Sequence, residues 1–153
     1  QAGLNVVQEG EELVAAGGLY GGTSSFFHDL AHYGIRARYA AGDSPEAFEA
    51  AITERTRLLY VETIGNPRLD VPDIAALAGV AHAHGISLFV DNTVTTPYLC
   101  QPFALGADVV IHSTSKALKM VTVIPSAASS SAAGSLTGPP IASRNSKNTA
   151  SAR

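Results

Sequence analysis

The chain has 153 residues, of which 46% are hydrophobic and 15% are charged, and its formal net charge is −3. This length suits a single domain with a sizeable apolar core. The weak acidity argues against a binding surface for nucleic acid or for an anionic membrane, and no apolar run reaches the roughly 20 residues that span a bilayer.

The cysteine count and the amino terminus bear on the compartment. Cys100 is the only cysteine, so no internal disulfide can form, and a reducing compartment is expected. The first residues, QAGLNVVQEGEE, lack the basic start and the uninterrupted apolar block of a signal peptide. We therefore expect a cytoplasmic protein.

Apolar runs of strand length alternate with segments of helical periodicity along most of the chain. Thr23 is expected to cap the first helix and Gly34 to end it, while Pro45 stands in the first turn of the second helix. In chain order, the predicted elements are a strand at 13–16, a helix from 23 to 34, a strand at 35–40, a helix at 44–52, a strand at 58–61, a helix that starts at 70–73 and ends at 85, a strand at 88–90, a short helix at 103–105 and a strand at 109–111.

This alternation predicts an α/β fold with a mainly parallel sheet and flanking helices. The composition changes after the last strand, because residues 121–153 contain eight Ser and seven Ala but no Asp or Glu. That segment has no sustained apolar period, which is typical of low-complexity coil. We expect an organised region at 1–120 and a disordered tail at 121–153.

Polar side chains follow three of the predicted strands at the point where each strand ends. The three clusters are Glu62-Thr63 with Gly65-Asn66-Pro67, Asp91-Asn92-Thr93, and His112-Ser113-Thr114-Ser115-Lys116. The carboxyl ends of parallel strands share one edge of the sheet, where α/β proteins bind their ligands. An acid, an amide, several hydroxyls and a lysine are therefore expected to converge there.

These residue types match the needs of pyridoxal phosphate. The amine of Lys116 can form a Schiff base with an aldehyde cofactor, and Asp91 can keep a pyridine nitrogen protonated. Ser113 and Ser115 can donate hydrogen bonds to a phosphate, and Tyr20 can lie on the face of the ring. Read singly, each residue also has an ordinary explanation as a turn residue or a solvated side chain.

Four segments carry a resemblance to a known family. LYGGT, ETIGNPRLDVPDI, VDNTVTTPYLCQP and GADVVIHSTSK, in this order, resemble the Cys/Met-metabolism family of pyridoxal-phosphate enzymes. That family includes cystathionine synthases and lyases, methionine γ-lyase and acylhomoserine sulfhydrylases. The resemblance spans residues 1–116 and implies that residues 1–120 are part of the large cofactor-binding domain of an aspartate-aminotransferase-like (type I) fold.

The resemblance also implies catalytic roles for individual residues. Lys116 matches the lysine that forms the Schiff base with pyridoxal 5′-phosphate, and Asp91 matches the carboxylate on the pyridine nitrogen. Tyr20 matches the tyrosine that stacks on the ring and assists proton transfer. Lys116 and Tyr20 are accordingly the expected catalytic residues.

Further cofactor contacts follow from the same resemblance. Asn66 matches the amide near the cofactor's 3-oxygen, while Ser113 and Ser115 match two hydroxyl residues at the phosphate, the second of which is more often Thr. Lyases and cystathionine synthases more often have Pro at the position of Ile64, so the segments are most similar to the sulfhydrylase branch. This implies γ-replacement on O-acetylhomoserine with sulfide, giving homocysteine and acetate in methionine biosynthesis.

The chain departs from the family pattern after the lysine. The family continues into a turn with glycine and histidine, whereas Ala117-Leu118-Lys119-Met120 stands here. The resemblance finds no counterpart for the arginine that binds the substrate carboxylate, nor for the arm that reaches a neighbouring subunit in the homotetrameric relatives. We therefore expect an internal fragment, and two alternatives stay open: a catalytically incomplete chain, or a cystathionine synthase, lyase or methionine γ-lyase activity.

Two other patterns favour ordinary roles. His28 and His32 lie four residues apart, as in a metalloprotease helix, but the acid between them is Asp29 rather than glutamate and a third ligand is not apparent. No metal site is expected. Leu19-Tyr20-Gly21-Gly22 does not match the GxGxxG pattern of a dinucleotide site.

Overall fold

The computed structural model describes residues 6–113, residue 116 and the backbone of residues 124–125. Within this part of the chain, one sheet has the strand order β2-β1-β3-β4-β5-β6, with β1 to β5 parallel and β6 antiparallel to β5. The strands are β1 Glu12–Ala15, β2 Arg36–Tyr39, β3 Thr56–Glu62, β4 Ser87–Asp91, β5 Val109–Ile111 and β6 Ile124–Pro125. The predicted α/β fold with a mainly parallel sheet is confirmed.

Helices connect the parallel strands. They are α1 Gly21–Asp29, α2 Pro45–Ala51, α3 Ile74–Ala83 and α4 Thr96–Leu99, with 3₁₀ helices at Leu30–Tyr33 and Pro102–Leu105. None of the helices in the described residues is long and apolar enough to cross a membrane.

Local rules account for several of the helix ends. Ser44 and Asp73 cap α2 and α3, because their side chains accept the backbone N–H groups of residues three positions further on, at 3.3 Å and 3.0 Å. Gly34 adopts a left-handed conformation with φ of 71° and ends the first 3₁₀ helix as predicted. The predicted cap at Thr23 is wrong, since α1 begins at Gly21 and its N-cap is Tyr20.

The core lies between the helices and the middle of the sheet. Strands β3 and β4 occupy the centre, and their apolar residues are buried on both faces. Phe48 of α2 and Leu77 of α3 are completely buried in this core. The edge strand β2 is more exposed and carries Arg36 and Arg38, charges that disfavour pairing with a foreign strand.

Strand β6 was not expected from the sequence. Its two residues pair with Val109 and Val110 of β5 and lie inside the segment that the sequence assigns to a disordered tail. The remaining residues of that segment fall outside the described residues, so the boundary at residue 120 stays a prediction.

Candidate active site

Strand register brings the expected polar residues to one edge of the sheet. The last residue of β3, Glu62, lies directly beside Asp91, the last residue of β4. Asp91 in turn pairs with Ile111 of β5, which is followed by His112 and Ser113. The predicted convergence of these strand ends is therefore present in the structure.

The Asp91 carboxylate is held by two hydrogen bonds. Its Oδ1 accepts the backbone N–H of Thr93 at 2.9 Å, and its Oδ2 accepts the hydroxyl of Tyr60 at 3.3 Å. Burial, followed by the nearby carboxylates of Asp91 and Glu62, raises the pKa of Tyr60 well above its usual value. Tyr60 thus keeps its proton and acts as a donor to Asp91.

A network of amide and hydroxyl groups fixes the turn after β4. The Asn92 side chain, which is fully buried, donates to the carbonyl of Cys100 at 2.9 Å and accepts from the hydroxyl of Thr95. Thr95 also contacts the hydroxyl of Thr63 at 2.9 Å. This network joins the ends of β3 and β4 and holds the turn that follows Asp91.

The structure brings the two predicted catalytic residues together. The Nζ of Lys116 lies 3.3 Å from the centroid of the Tyr20 ring, which is the geometry of a cation–π contact. Both side chains are exposed, and Tyr20 retains 45% of its accessible surface. The amine is therefore open to an incoming molecule.

Glu62 is a site residue to which the sequence analysis assigned no role. Only 7% of it is exposed, and its Oε1 accepts the backbone N–H of Tyr20 at 2.8 Å. Burial raises the pKa of Glu62, and Asp91 raises it further, while the Tyr20 hydrogen bond and the Lys116 charge oppose the shift. The one signal in the sequence was an acid at the end of an otherwise apolar strand.

The phosphate and 3-oxygen contacts predicted from the resemblance are less fully described. Asn66 is exposed in the loop after β3, and its backbone N–H donates to the carbonyl of Gly18 at 3.3 Å. The backbone N–H of Ser113 donates to the hydroxyl of Thr93 at 2.8 Å. Ser115 lies outside the described residues, so the cofactor contacts of all three side chains stay predictions.

The loop that carries Asn66 packs closely on the loop after β1. A Cβ atom added at Gly65 would lie 2.9 Å from the carbonyl oxygen of Gly18, which leaves no space for a side chain. Arg68 fastens the same loop through Asp70 at 2.7 Å and Asp43 at 3.0 Å. The position of Asn66 is thus determined by backbone contact and an ion-pair network.

His32 and Cys100 make local contacts. In the described residues, no three His, Cys, Asp or Glu side chains are grouped so that they could hold a metal ion. A ring nitrogen of His32 contacts the carbonyl of Asp29 at 3.1 Å, which is a local helix-end contact. Cys100 packs partly buried against the core, and burial raises the pKa of its thiol.

The arrangement fits pyridoxal phosphate. Each oxygen of Asp91 accepts one hydrogen bond in the structure, and since a carboxylate oxygen has two lone pairs, it can accept another from a protonated ring nitrogen. The Lys116 amine, held over the Tyr20 ring, is placed to react with an aldehyde. The fold and the arrangement of these side chains fit the cofactor-binding region of pyridoxal-phosphate proteins of the α/β class.

Comparison with known proteins gives the same class. The family model described as Cys/Met metabolism PLP-dependent enzyme matches residues 1–121. The chain belongs to this family, as its four sequence segments indicated.

Individual relatives carry two different activities in their names. The chain is 45% identical over 116 residues to the O-acetyl-L-homoserine sulfhydrylase of Leptospira meyeri, covering 75% of this chain and 26% of the relative. It is also 45% identical over 114 residues to the L-methionine gamma-lyase of Porphyromonas gingivalis, covering 73% of this chain and 29% of the relative. The chain thus spans about a quarter of the length of these relatives.

A solved structure from Campylobacter jejuni is similar in fold. It is described as an O-acetylhomoserine (thiol)-lyase containing N′-pyridoxyl-lysine-5′-monophosphate, and it is 36% identical with a TM-score of 0.70. The match covers 72% of this chain and 28% of that structure. The expected type I fold is confirmed by this likeness.

Proposed function

We propose that this chain supplies the cofactor-binding part of a pyridoxal-phosphate enzyme that converts O-acetylhomoserine and sulfide to homocysteine and acetate. The observation that carries the cofactor assignment is the Lys116 amine on the Tyr20 ring, beside the neighbouring carboxylates of Glu62 and Asp91. The single cysteine favours a reducing compartment, and we propose that the enzyme works in the cytoplasm. A homotetramer is proposed from the family resemblance.

When bound, pyridoxal phosphate supplies an aldehyde that captures amines and a protonated ring that stores an electron pair from the substrate. In our proposal, Lys116 holds the aldehyde through its amine and, once displaced by the substrate amine, moves protons at the substrate Cα and Cβ. Asp91 keeps the proton on the ring nitrogen by its negative charge. Tyr20 covers one face of the ring and assists the proton transfer.

The remaining residues of the proposed site orient the cofactor. Ser113 and Ser115 donate hydroxyl hydrogen bonds to the phosphate, and Asn66 donates an amide hydrogen bond to the 3-oxygen. These contacts hold the cofactor in place, and the complete positioning of reacting groups in an enzyme site can supply about 7–11 kcal/mol of barrier reduction. Acetate then leaves from the substrate Cγ, and sulfide adds at the same carbon.

The choice of sulfhydrylase over lyase rests on the segment around Ile64. The two named relatives are equally identical to the chain, so overall identity does not separate the activities. The segment ETIGNPR has Ile64 where lyases and cystathionine synthases more often have Pro. Methionine γ-lyase is the second candidate because one of the two equally identical relatives carries that name. Cystathionine synthase or lyase activity is the third.

The cofactor assignment is tested by trapping. The 153-residue chain is incubated with pyridoxal phosphate and reduced with borohydride, and peptide mass spectrometry then locates the label. We expect label on Lys116 and its loss in Lys116→Ala, whereas Lys119→Ala serves as the matched control and keeps it. Equal labelling of Lys116→Ala and the parent chain would refute the assignment.

The reaction is tested by two assays on the same preparation. Homocysteine is measured with O-acetylhomoserine and sulfide, and methanethiol is measured with methionine. Because the chain spans only about a quarter of the length of the named relatives, we expect at most traces of turnover from the chain alone. Homocysteine production at about 1 per second or faster would refute the alternative of a catalytically incomplete chain, and methanethiol without homocysteine would refute the sulfhydrylase proposal.

A further inference from the structure

Glu62 is a buried carboxylate that the proposed chemistry leaves without a function. It ends β3, and only 7% of its surface is accessible. A carboxylate in such a position destabilises a protein unless hydrogen bonds compensate for the lost water. The bond that its Oε1 accepts from the Tyr20 N–H, at 2.8 Å, provides this compensation.

That bond connects two distant parts of the chain. Tyr20 is the N-cap of α1, and its carbonyl already accepts the N–H groups of Thr23 at 2.9 Å and Ser24 at 3.0 Å. Glu62 holds the opposite side of the same residue, from 42 positions along the chain. The Tyr20 backbone is therefore fixed at both its N–H and its C=O, although 45% of the residue is exposed.

The fixed backbone determines where the Tyr20 ring lies. The ring is the surface against which the Lys116 amine rests, 3.3 Å from its centroid. Without an anchor on the backbone N–H, an exposed tyrosine at the start of a helix would be free to shift its ring away from the amine. The contact between Tyr20 and Lys116 therefore lies next to a third residue, Glu62, which holds the Tyr20 backbone N–H.

We propose that Glu62 is a positioning residue for the reactive lysine, acting by holding the Tyr20 N–H so that the Tyr20 ring stays under the Lys116 amine. This inference rests on the proposed function, since it matters for catalysis only if Lys116 carries the cofactor. Glu62 acts through its acceptor oxygen, and an uncharged acceptor of the same length is sufficient.

The contact depends on pH because Glu62 titrates. The charged or titratable groups that face Glu62 are Asp91 on β4, Tyr60 on its own strand and Lys116. Burial makes Glu62 take up a proton at a higher pH than an ordinary glutamate. A protonated carboxyl accepts the Tyr20 N–H less strongly than a carboxylate does, so acidification weakens the anchor.

The test uses the cofactor-free 153-residue chain and reads the side-chain protons of Lys116 by NMR. In the parent, the Tyr20 ring current shifts these protons upfield, and Tyr20→Leu removes the shift and calibrates it. We expect Glu62→Ala to abolish the shift and to lower hydrogen-exchange protection of the Tyr20 amide about tenfold or more, as the loss of a hydrogen bond to a charged group implies. Glu62→Gln should retain both signals, and Glu54→Gln, an exposed residue, is the matched control.

The outcomes separate the inference from the function on which it rests. An unchanged Lys116 shift in a folded Glu62→Ala chain, or equal loss in Glu62→Gln, overturns the positioning role. If Glu62→Ala does not fold, the parent chain and Glu62→Gln are titrated instead. The upfield shift of the Lys116 protons should shrink in the parent as the pH falls through the titration of Glu62, and it should stay constant in Glu62→Gln. A constant shift in the parent overturns the positioning role. Failure of the parent to be labelled at Lys116 by pyridoxal phosphate, with the Glu62 response intact, refutes the proposed function alone.

Discussion

Replacing Asp91 by asparagine should separate cofactor chemistry from folding. The amide of Asp91→Asn has nearly the size of the carboxylate, and its oxygen can still accept the Thr93 N–H that Oδ1 accepts at 2.9 Å. In the variant, the amide nitrogen faces Tyr60. The Tyr60 hydroxyl donates to Oδ2 at 3.3 Å in the parent, and its oxygen can accept a hydrogen bond from the amide instead. Because both contacts survive, we expect the free energy of unfolding to change by less than about 1 kcal/mol.

The effect on the cofactor should be much larger than the effect on the fold. A hydrogen bond to a charged group contributes about 1.5–3 kcal/mol, and each 1.36 kcal/mol is about a factor of ten. Losing the charge of Asp91 should therefore weaken cofactor capture and slow exchange of the substrate α-proton, each by about one to two orders of magnitude.

Two measurements on the same variant decide this. The first is the pyridoxal phosphate concentration that gives half-maximal labelling of Lys116, and the second is exchange of the substrate α-proton in deuterium oxide with cofactor bound. Asp29→Asn, an exposed residue at the end of α1, is the matched control. If Asp91→Asn equals the parent in both measurements while the cofactor is bound, Asp91 does not hold the ring proton and the reasoning fails.

Three further predictions concern stability. Phe48→Ala should lower the free energy of unfolding by about 3–5 kcal/mol, because Phe48 is completely buried. Phe26 is exposed, and Phe26→Ala should change the free energy of unfolding by less than about 1 kcal/mol. Urea unfolding measures both variants. Removing residues 126–153 should leave the melting temperature within error, since that sequence has no sustained apolar period, and strong amide protection within it would contradict this. The raised pKa of Glu62 means that the native state binds the Glu62 proton more tightly than the unfolded state does. The parent should therefore gain stability relative to Glu62→Gln as the pH falls from above that pKa to the ordinary pKa of a glutamate. A pH-independent difference between the urea midpoints of the two chains would contradict this.

The sequence predicted the strands better than their ends. The apolar criterion placed the third strand at 58–61, whereas β3 runs over Thr56–Glu62. Both terminal residues are polar yet buried. The Thr56 hydroxyl accepts the backbone N–H of Thr53 in the preceding turn, and the Glu62 carboxylate accepts that of Tyr20. Polarity alone cannot reveal a side chain that is buried with its hydrogen bond satisfied.

The first helix shows why the cap at Thr23 was predicted wrongly. Local rules favour a side-chain acceptor at the N-cap, and Thr23 is the nearest one. The helix instead starts after Tyr20, whose own N–H is held by Glu62 from β3. A contact across 42 residues overrides the local preference, and no short window of sequence contains it.

The candidate site was predictable in part: the residues that converge were predicted, but the contact that Glu62 makes was not. The convergence of Asp91, Tyr20 and Lys116 follows from parallel strands sharing an edge, together with the family resemblance. The role of Glu62 was not predicted because it depends on a backbone N–H, which every residue type except proline carries and which leaves no trace in the sequence. Strand β6 was missed for a similar reason, since a two-residue pair depends on β5 and not on its own composition.

The link between Glu62 and Tyr20 also has a kinetic consequence. It joins residues 42 positions apart, a separation similar to that between the paired residues of β1 and β3, which are neighbours in the sheet but not in sequence. Contacts between distant parts of a chain form slowly because the loop entropy is lost before the contact energy is gained. The lysine's aromatic support should therefore assemble together with the pairing of β1 and β3, so competence to capture an aldehyde at Lys116 would report completed folding of these strands.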